Sequence, residues 1–206
     1  MAQSVQIVRN LVFDMGGVLM DFDPSIFAHL YVDSDTDARL IEDALYRGAS
    51  WPLLDAGVVS ESTIEYLAQC KVPERLWEPM HRGFLEWEQH QPVLQEMNDV
   101  VVRLSESGYG CYLLSNAGTR WWKQKDRIPC MRVMRGFVVS AFERMMKPDP
   151  LIYTTLCERY QLEPATCLFV DDNLDNCRGA ERAGMRSYHY DGDPAKFERY
   201  VSEGLA

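Results

Sequence analysis

Short apolar runs recur along the chain, and each one ends in polar residues. The runs are continuous rather than alternating, which is typical of strands that are buried on both faces of a parallel sheet. They predict strands over residues 10–13, 111–114, 136–140, 167–170 and 186–190.

Apolar residues at helical spacing separate most of these runs. The spacing predicts helices over residues 92–107, 149–161 and 173–183, and a short helix over 193–201 near the end of the chain. Strands that alternate with helices of this length predict an α/β fold with a doubly wound parallel sheet.

Residues 23–91 follow a different pattern. This stretch has no strand-like run, and its apolar residues recur on helical faces. We therefore expect a helical insertion (residues 23–91) after the first strand. The α/β core is then formed by residues 1–22 and 92–206.

The composition narrows the function classes. The chain has 206 residues, of which 47% are hydrophobic and 25% charged, as in an ordinary folded protein. Its formal net charge of −10 would repel a phosphate backbone over any wide surface, which argues against nucleic-acid binding. A small phosphorylated ligand stays compatible, because a local site can be positive within an acidic protein.

No run approaches the roughly 20 apolar residues of a membrane helix. Residues 1–10 lack the pattern of a signal peptide. The six cysteines form no C-x-x-C pair, and in a chain of this size without an export signal we expect reduced thiols. We expect a cytoplasmic protein without a membrane partner, and the sequence is compatible with both a monomer and a homodimer.

Asp14 comes directly after the first predicted strand and is followed closely by Gly16 and Gly17. A carboxylate at a strand end, beside glycines that let the backbone approach a ligand, could be a nucleophile or a metal ligand. An acidic residue in this position could equally serve as a turn former.

Asp171 and Asp172 follow the fourth predicted strand. Two adjacent carboxylates at a buried strand end repel each other unless a cation or hydrogen-bond donors compensate. Hard oxygen ligands of this kind suit Mg²⁺. Alternatively, Asp172 or Asn173 simply begins the next helix as its N-cap.

Ser115, Asn116 and Lys147 add polar groups near two further predicted strands. The Ser115 hydroxyl and the neighbouring backbone N–H groups could hold an anionic oxygen. Lys147 offers a cation in a segment that is stiffened by prolines. Taken alone, each of these residues is also compatible with an ordinary structural role.

The order of these groups resembles the haloacid dehalogenase superfamily of hydrolases. Carboxylate, hydroxyl, lysine and acidic pair follow one another in that family's order, and the resemblance covers nearly the whole chain. The helical insertion resembles the family's type-1 cap. The matching segments are residues 11–19 (LVFDMGGVL), 113–116 (LLSN), 146–149 (MKPD) and 168–176 (LFVDDNLDN).

The resemblance implies a Mg²⁺-dependent phosphomonoester hydrolase that acts on a small phosphorylated metabolite. In such an enzyme Asp14 attacks phosphorus and forms an aspartyl-phosphate. A bare carboxylate is repelled by a phosphate dianion, so Mg²⁺ and Lys147 are needed to bring the two together. The implied metal ligands are Asp14, the Gly16 carbonyl, Asp172 and Asp171, and the implied phosphoryl-binding groups are Ser115, the Asn116 amide, Gly17 and Lys147.

Gly16 departs from the commonest family pattern, which has a second Asp at this position as general acid and base. General acid–base catalysis contributes roughly 10²- to 10⁴-fold. The glycine is similar to that of the family's α-glucose-1-phosphate phosphatases, so the leaving group could need little protonation, as in an anomeric sugar phosphate. Alternatively, Asp21 or Asp23 could supply the acid, or the chain could be a catalytically weak binding or regulatory protein.

Dehalogenases of the same superfamily also lack the second Asp. They use no metal, however, and their fourth motif is not an acidic pair. Asp171 and Asp172 would be a liability beside an unneutralised nucleophile. Hydrolysis of a 2-haloacid is therefore the less favoured alternative.

Several aromatic and basic residues could also reach the site. Trp121 and Trp122, in a segment with basic neighbours, could line its entrance or pack against the helical insertion. Candidate substrate contacts within the helical insertion are Trp51, Asp55, Arg47, Arg75 and Arg82.

Overall fold

A computed structural model of the chain describes residues 7–204, and its centre is a five-stranded sheet. All strands run parallel, in the order β3-β2-β1-β4-β5. The predicted strands and the doubly wound α/β fold are confirmed. The strands are β1 (Asn10–Phe13), β2 (Gly110–Ser115), β3 (Met134–Val139), β4 (Cys167–Asp171) and β5 (Arg186–His189).

Helices cover both faces of this sheet. In chain order they are α1 (Pro24–Ala28), α2 (Asp35–Ile41, continued by a π-helical turn Glu42–Tyr46), α3 (Trp51–Asp55), α4 (Glu61–Gln69), α5 (Trp77–His90), α6 (Gln95–Glu106), α7 (Trp121–Gln124), α8 (Ser140–Glu143), α9 (Pro150–Tyr160), α10 (Leu174–Arg182) and α11 (Pro194–Gly204). Short 3₁₀ turns lie at Glu74–Leu76, Lys125–Arg127, Pro129–Val133 and Pro164–Thr166.

The central strand β1 shows how the core is divided. Side chains of a strand alternate between the two faces of the sheet. Leu11 and Phe13 belong to the apolar cluster that includes α6 and α11, whereas Val12 belongs to the cluster that includes α9. Because both faces of β1 are buried, its sequence is continuously apolar rather than alternating.

The helices α1 to α5 share an apolar cluster of their own, which includes Phe27, Leu45, Ile64 and Phe84. Helix α4 begins with the Ser60 hydroxyl, which accepts a hydrogen bond of 3.1 Å from the Thr63 backbone N–H. We keep the helical insertion, residues 23–91, as the proposed second unit of the chain.

The predicted helix over residues 92–107 starts too early. Helix α6 begins at Gln95, because the residues before it are extended and pair with the chain that leaves β1. Val93 bridges Met20 in antiparallel fashion, and the Leu94 N–H donates to the Leu19 carbonyl at 3.0 Å. This pairing joins the segment of chain that leads into the helical insertion to the segment that leads out of it.

The structure also describes the state of the cysteines and the character of the helices. All six cysteines are free, with Cys70 exposed and the other five buried. Within residues 7–204, none of the helices combines the length and the apolar character needed to traverse a bilayer.

Candidate active site at the strand ends

The ends of β1, β2 and β4 bring the predicted polar residues to one edge of the sheet. Phe13 pairs with Leu113 on one side and with Val170 on the other, so the residues that follow these positions meet. Asp14 lies at this junction, where its backbone N–H donates to the Val170 carbonyl at 2.9 Å.

A buried lysine joins two of the carboxylates. Lys147 Nζ lies 2.7 Å from Asp14 Oδ1 and 2.7 Å from Asp171 Oδ2, and its side chain has no exposed surface. Burial alone would lower the pKa of Lys147, but Asp14 and Asp171 outweigh burial and raise it. Lys147 is therefore a permanent cation at neutral pH.

Asn116 fixes the segment that carries this lysine. Its side-chain oxygen accepts from the Lys147 backbone N–H at 2.8 Å, and its side-chain nitrogen donates to the Lys147 carbonyl at 3.0 Å. The side chain of Asn116 thus positions the lysine, and contact of the Asn116 amide with a phosphoryl oxygen stays a prediction.

The contacts of Asp14 are concentrated on one oxygen. Oδ1 accepts from Lys147 and from the Met15 backbone N–H, the latter at 2.6 Å, and Oδ2 has no hydrogen-bond partner among the described residues. Burial raises the pKa of Asp14, Asp171 adds to the rise, and Lys147 opposes it. The carboxylate is held in one orientation with one oxygen left free.

Asp171 is fully buried, and donors surround its carboxylate. Besides Lys147, the Asn173 backbone N–H donates to Oδ1 at 2.8 Å, and the Asn176 side-chain nitrogen lies 3.1 Å from both oxygens. Such saturation makes Asp171 a group that orients its neighbours rather than one with spare bonding capacity.

Asp172 lies beside Gly17. A Cβ added to Gly17, whose φ is +68°, would lie 2.4 Å from Asp172 Oδ2, so this approach requires glycine. Burial raises the pKa of Asp172, and Asp171 adds to the rise. The N-cap of α10 is Asn173, which accepts from the Asp175 N–H at 2.8 Å, so Asp172 is not used as a cap.

The carboxylates fit a divalent cation. One oxygen from each of Asp14, Asp171 and Asp172 lies within 4.8 Å of the others. The cluster has three carboxylates and one ammonium group, and hard oxygen donors with excess negative charge suit Mg²⁺. Because Asp171 is already saturated, Asp14 and Asp172 are the better direct ligands. Gly16, whose carbonyl is the third predicted ligand, lines the same cavity.

Ser115 ends β2 as predicted, but it is only 1% exposed. The wall of the cavity at this strand end is formed by its neighbours Asn116, Ala117 and Gly118. Contact of the Ser115 hydroxyl with a phosphoryl oxygen stays a prediction.

A cavity of about 400 Å³ opens between Asp14 and the helical insertion. Its aromatic wall consists of Phe22, Trp51 and Trp87, whose ring centroids lie 5.5–5.7 Å apart. Its polar lining on this side includes Asp55, Gln91 and Gln124. Only Trp51 and Asp55 were anticipated from the sequence, because the other four belong to no motif.

No lysine or arginine of the described chain lines this cavity, whereas four aspartates do: Asp14, Asp21, Asp55 and Asp172. The arginines proposed as substrate contacts have other partners. Arg47 pairs with Glu42, Arg75 pairs with Asp37 and Arg82 lies over the Tyr31 ring.

Arg120, one of the basic neighbours of Trp121 and Trp122 in the sequence, connects the core to the helical insertion. Its guanidinium donates to both Glu61 oxygens at 2.9 Å, to Glu88 Oε2 at 3.0 Å and to the Phe84 carbonyl. The adjacent Trp121 is fully buried and Trp122 is exposed, and both pack against Phe137 rather than at the cavity.

A family model for haloacid dehalogenase-like hydrolases matches residues 8–184. The chain belongs to this family. The sesquiterpene phosphatase astK of Aspergillus oryzae is 23% identical to this haloacid dehalogenase-like hydrolase over 186 residues, which are 88% of this chain and 89% of that protein. Acyl-CoA dehydrogenase family member 10 of Mus musculus is 24% identical over 191 residues, or 89% of this chain, which spans 18% of that protein.

Solved structures of the haloacid dehalogenase family share the fold. A family enzyme from Bacteroides thetaiotaomicron in a magnesium complex has a TM-score of 0.69 and 19% identity, over 90% of this chain and 94% of that one. The L-2-haloacid dehalogenase from Xanthobacter autotrophicus has a TM-score of 0.64 and 18% identity, over 97% of this chain and 85% of that one. The same fold therefore supports more than one kind of hydrolysis reaction. The residues of the site, rather than the fold, decide which reaction a given chain can catalyse.

Proposed function

We propose that this hydrolase is a Mg²⁺-dependent phosphomonoesterase that acts on a small phosphorylated metabolite through an aspartyl-phosphate on Asp14. The observation that carries the proposal is the constellation at the strand ends. The Asp14 carboxylate, which has one free oxygen, is fixed by the buried Lys147 and lies beside the two carboxylates of Asp171 and Asp172.

The chain's own residues account for the nucleophilic step. Lys147 and the Met15 N–H hold Asp14 Oδ1 and so orient the carboxylate that would attack phosphorus. Asn116 and Asp171 keep the lysine in place from its backbone and its ammonium end. When bound, Mg²⁺ would neutralise charge on the phosphoryl oxygens and orient them toward Asp14. Asp14, Asp172 and the Gly16 carbonyl are the proposed ligands.

The cavity supports an uncharged, hydroxyl-bearing leaving group such as a sugar. Its aromatic wall suits the apolar faces of such a group, and Gln91 and Gln124 offer amide hydrogen bonds. Four lining aspartates and no lining lysine or arginine disfavour a second anionic group on the substrate. The sesquiterpene phosphatase and a magnesium–phosphate complex of the Bacteroides enzyme are consistent with phosphoryl chemistry.

Phosphate release tests the proposal. The protein is assayed with sugar phosphates, nucleotides and small phosphomonoesters, with Mg²⁺ and with EDTA. We expect Mg²⁺-dependent turnover that Asp14→Asn reduces by at least ~10⁴-fold, because a covalent nucleophile is lost. A phosphorylated Asp14 peptide, detected by mass spectrometry after rapid quenching, is expected in the wild type alone.

Two outcomes would replace the proposal. Folded protein that binds Mg²⁺ but releases no phosphate would indicate a binding or regulatory protein. Metal-independent release of halide from 2-haloacids would indicate a dehalogenase, although the acidic lining of the cavity opposes a free haloacid carboxylate.

A further inference from the structure

Gly16 stands where the resemblance to haloacid dehalogenase-like hydrolases implies a second Asp, and it brings no side chain to the site. A Cβ built on Gly16 would have no heavy atom within 4 Å, so the space beside it is open. Apart from the proposed nucleophile and metal ligands, two carboxylates line the cavity, and they belong to Asp21 and Asp55.

We propose that Asp55, carried by the helical insertion, is the general acid and base of the reaction at Asp14. The proposal rests on the proposed function, since it assigns the proton transfers of the same two-step hydrolysis. It places an essential group of the chemistry outside the α/β core.

The backbone around Asp55 is fixed to the ends of β2 and β3. The Asp55 carbonyl accepts from the Ser140 hydroxyl, which itself accepts from the Ala117 N–H at 3.0 Å. Two residues later, Gly57 has a φ of +67°, and a Cβ there would lie 2.2 Å from the Ala141 carbonyl oxygen. The end of α3 therefore docks closely on the core and holds Asp55 at the cavity.

The surroundings of the Asp55 carboxyl group suit proton transfer. Burial raises its pKa to about 7, Asp14 contributes to the rise, and a hydrogen bond from the Gly118 backbone opposes it. Asp14 is the one charged group that acts on it strongly, and no cation of the described chain neutralises it. A carboxyl group with such a pKa can both give and take a proton near neutral pH.

The two acids suggested by the sequence are less suitable. Asp21 is exposed, and its carboxylate accepts from the Phe22 N–H at 2.8 Å. Asp23 caps helix α1, where its carboxylate accepts from the Ser25 N–H at 2.9 Å and from the Ser25 hydroxyl at 2.7 Å. These bonds lower the pKa of Asp23, so it is ionised at neutral pH and cannot serve as an acid.

The proton balance closes over two steps. In the first, an Asp14 oxygen bonds to phosphorus while the bond from phosphorus to the leaving oxygen breaks, and the Asp55 carboxyl gives its proton to that oxygen. In the second, the Asp55 carboxylate takes a proton from water as the water oxygen bonds to phosphorus and the Asp14–phosphorus bond breaks. The products are an alcohol and inorganic phosphate, and Asp55 regains its proton.

Leaving groups of different basicity test this assignment with Asp55→Asn. With an alkyl phosphate such as glycerol phosphate, the variant should lose ~10²- to 10⁴-fold in kcat, because the alkoxide needs a proton. With p-nitrophenyl phosphate the first step needs no acid, so we expect a burst of one nitrophenolate per active site, followed by slow turnover as the aspartyl-phosphate accumulates. Asp55→Glu, which keeps a titratable group, should turn over faster than Asp55→Asn.

Asp23→Asn is the matched control, because it makes the same change in the helical insertion but outside the cavity. It should show wild-type turnover and no burst. If Asp55→Asn slows both substrates by one common factor without a burst, Asp55 only docks the helical insertion and the assignment is wrong. If the wild type releases no phosphate from any substrate, it is the proposed function that fails.

Discussion

The two walls of the cavity are built on different physical principles. At the strand ends, the Lys147 ammonium lies 2.7 Å from the carboxylates of Asp14 and Asp171, and its buried side chain cannot reach other partners. On the side of the helical insertion, aromatic rings pack at 5.5–5.7 Å, and Asp55 has no cationic partner among the described residues.

The charged wall suits the phosphoryl group, which all substrates would share, and the aromatic wall suits the part of the substrate that varies. A phosphoryl group always brings the same charge, so a rigid charged site suits it. The remainder of the substrate varies in shape and hydrogen bonding, and rings with neutral amides discriminate such features. Substitutions on the two sides should therefore fail in different ways.

Lys147→Met should have the largest effect on the charged side. Asp14 and Asp171 would lose the cation between them, and the buried carboxylates would repel each other. We expect kcat to fall by ~10²- to 10³-fold, and metal-free protein to lose about 3–5 kcal/mol of unfolding free energy in urea.

Lys125→Met removes the same charge from the surface, where Lys125 pairs with the exposed Asp126 at 2.9 Å. It should change the unfolding free energy by less than ~0.5 kcal/mol. Equal losses in the two variants would show that the charged wall is not fixed as described.

Arg120→Met should weaken the junction between the two sides. Glu88 is 1% exposed and would lose its guanidinium partner at 3.0 Å, and the Phe84 carbonyl would lose a donor. Glu88 would keep only Lys123, whose Nζ lies 3.3 Å from Oε1, so its buried charge would be incompletely compensated, and we expect a loss of about 3 kcal/mol in urea unfolding.

Arg103→Met is the matched comparison, because Arg103 makes an equally bidentate pair with Glu198 at 2.7 Å on the exposed surface. It should cost no more than ~1 kcal/mol. Adding Glu88→Leu to Arg120→Met should recover part of the loss, because the buried charge that lost its guanidinium partner is removed. No recovery would mean that Arg120 acts through its other contacts, which are Glu61, the Phe84 carbonyl and packing, rather than by compensating Glu88.

The Asp55 carboxyl, which has no cationic partner among the described residues, should give a smaller, pH-dependent effect. Its pKa rises from 3.8 to about 7 on folding, chiefly through burial, so the folded state binds more protons than the unfolded state in this range. Stability should therefore be unaffected by Asp55 below about pH 4 and should fall as the pH rises toward about 7.

Urea unfolding of metal-free protein at several pH values measures this slope. Each unit of pKa difference corresponds to about 1.4 kcal/mol, so a decline of at least ~1 kcal/mol is expected. Asp55→Asn should flatten the decline relative to the wild type. An unchanged slope would show that Asp55 has the same pKa in the folded and unfolded states.

The sequence predicts the charged side well because its residues follow buried strands. Once continuous apolar runs indicate parallel strands, the residues after them must meet at one edge. Asp14, Asp171 and Asp172 were placed at strand ends for this reason, and the resemblance to the haloacid dehalogenase superfamily grouped them with Lys147. The structure adds the division of labour between saturated Asp171 and the accessible Asp172.

The opposite side depends on how the helical insertion docks, and docking leaves no periodic signal. Gln91 and Gln124 come from distant parts of the chain and reach the same cavity, where they share a hydrogen bond of 2.9 Å. The start of α6 was misplaced for a similar reason, because the residues before it pair with a segment over 70 positions away.

Ser140 connects the proposed proton transfer by Asp55 to the position of the helical insertion. Its hydroxyl joins the end of β2, through Ala117, to the carbonyl of Asp55. If the helical insertion opened to admit substrate or release product, the second of these bonds would break and Asp55 would move away from Asp14. The nucleophile stays behind without a proton carrier. A phosphorylated Asp14 in the open protein would then persist until the end of α3, which carries Asp55, docks on the core again. The lifetime of the intermediate would therefore report how often the protein closes.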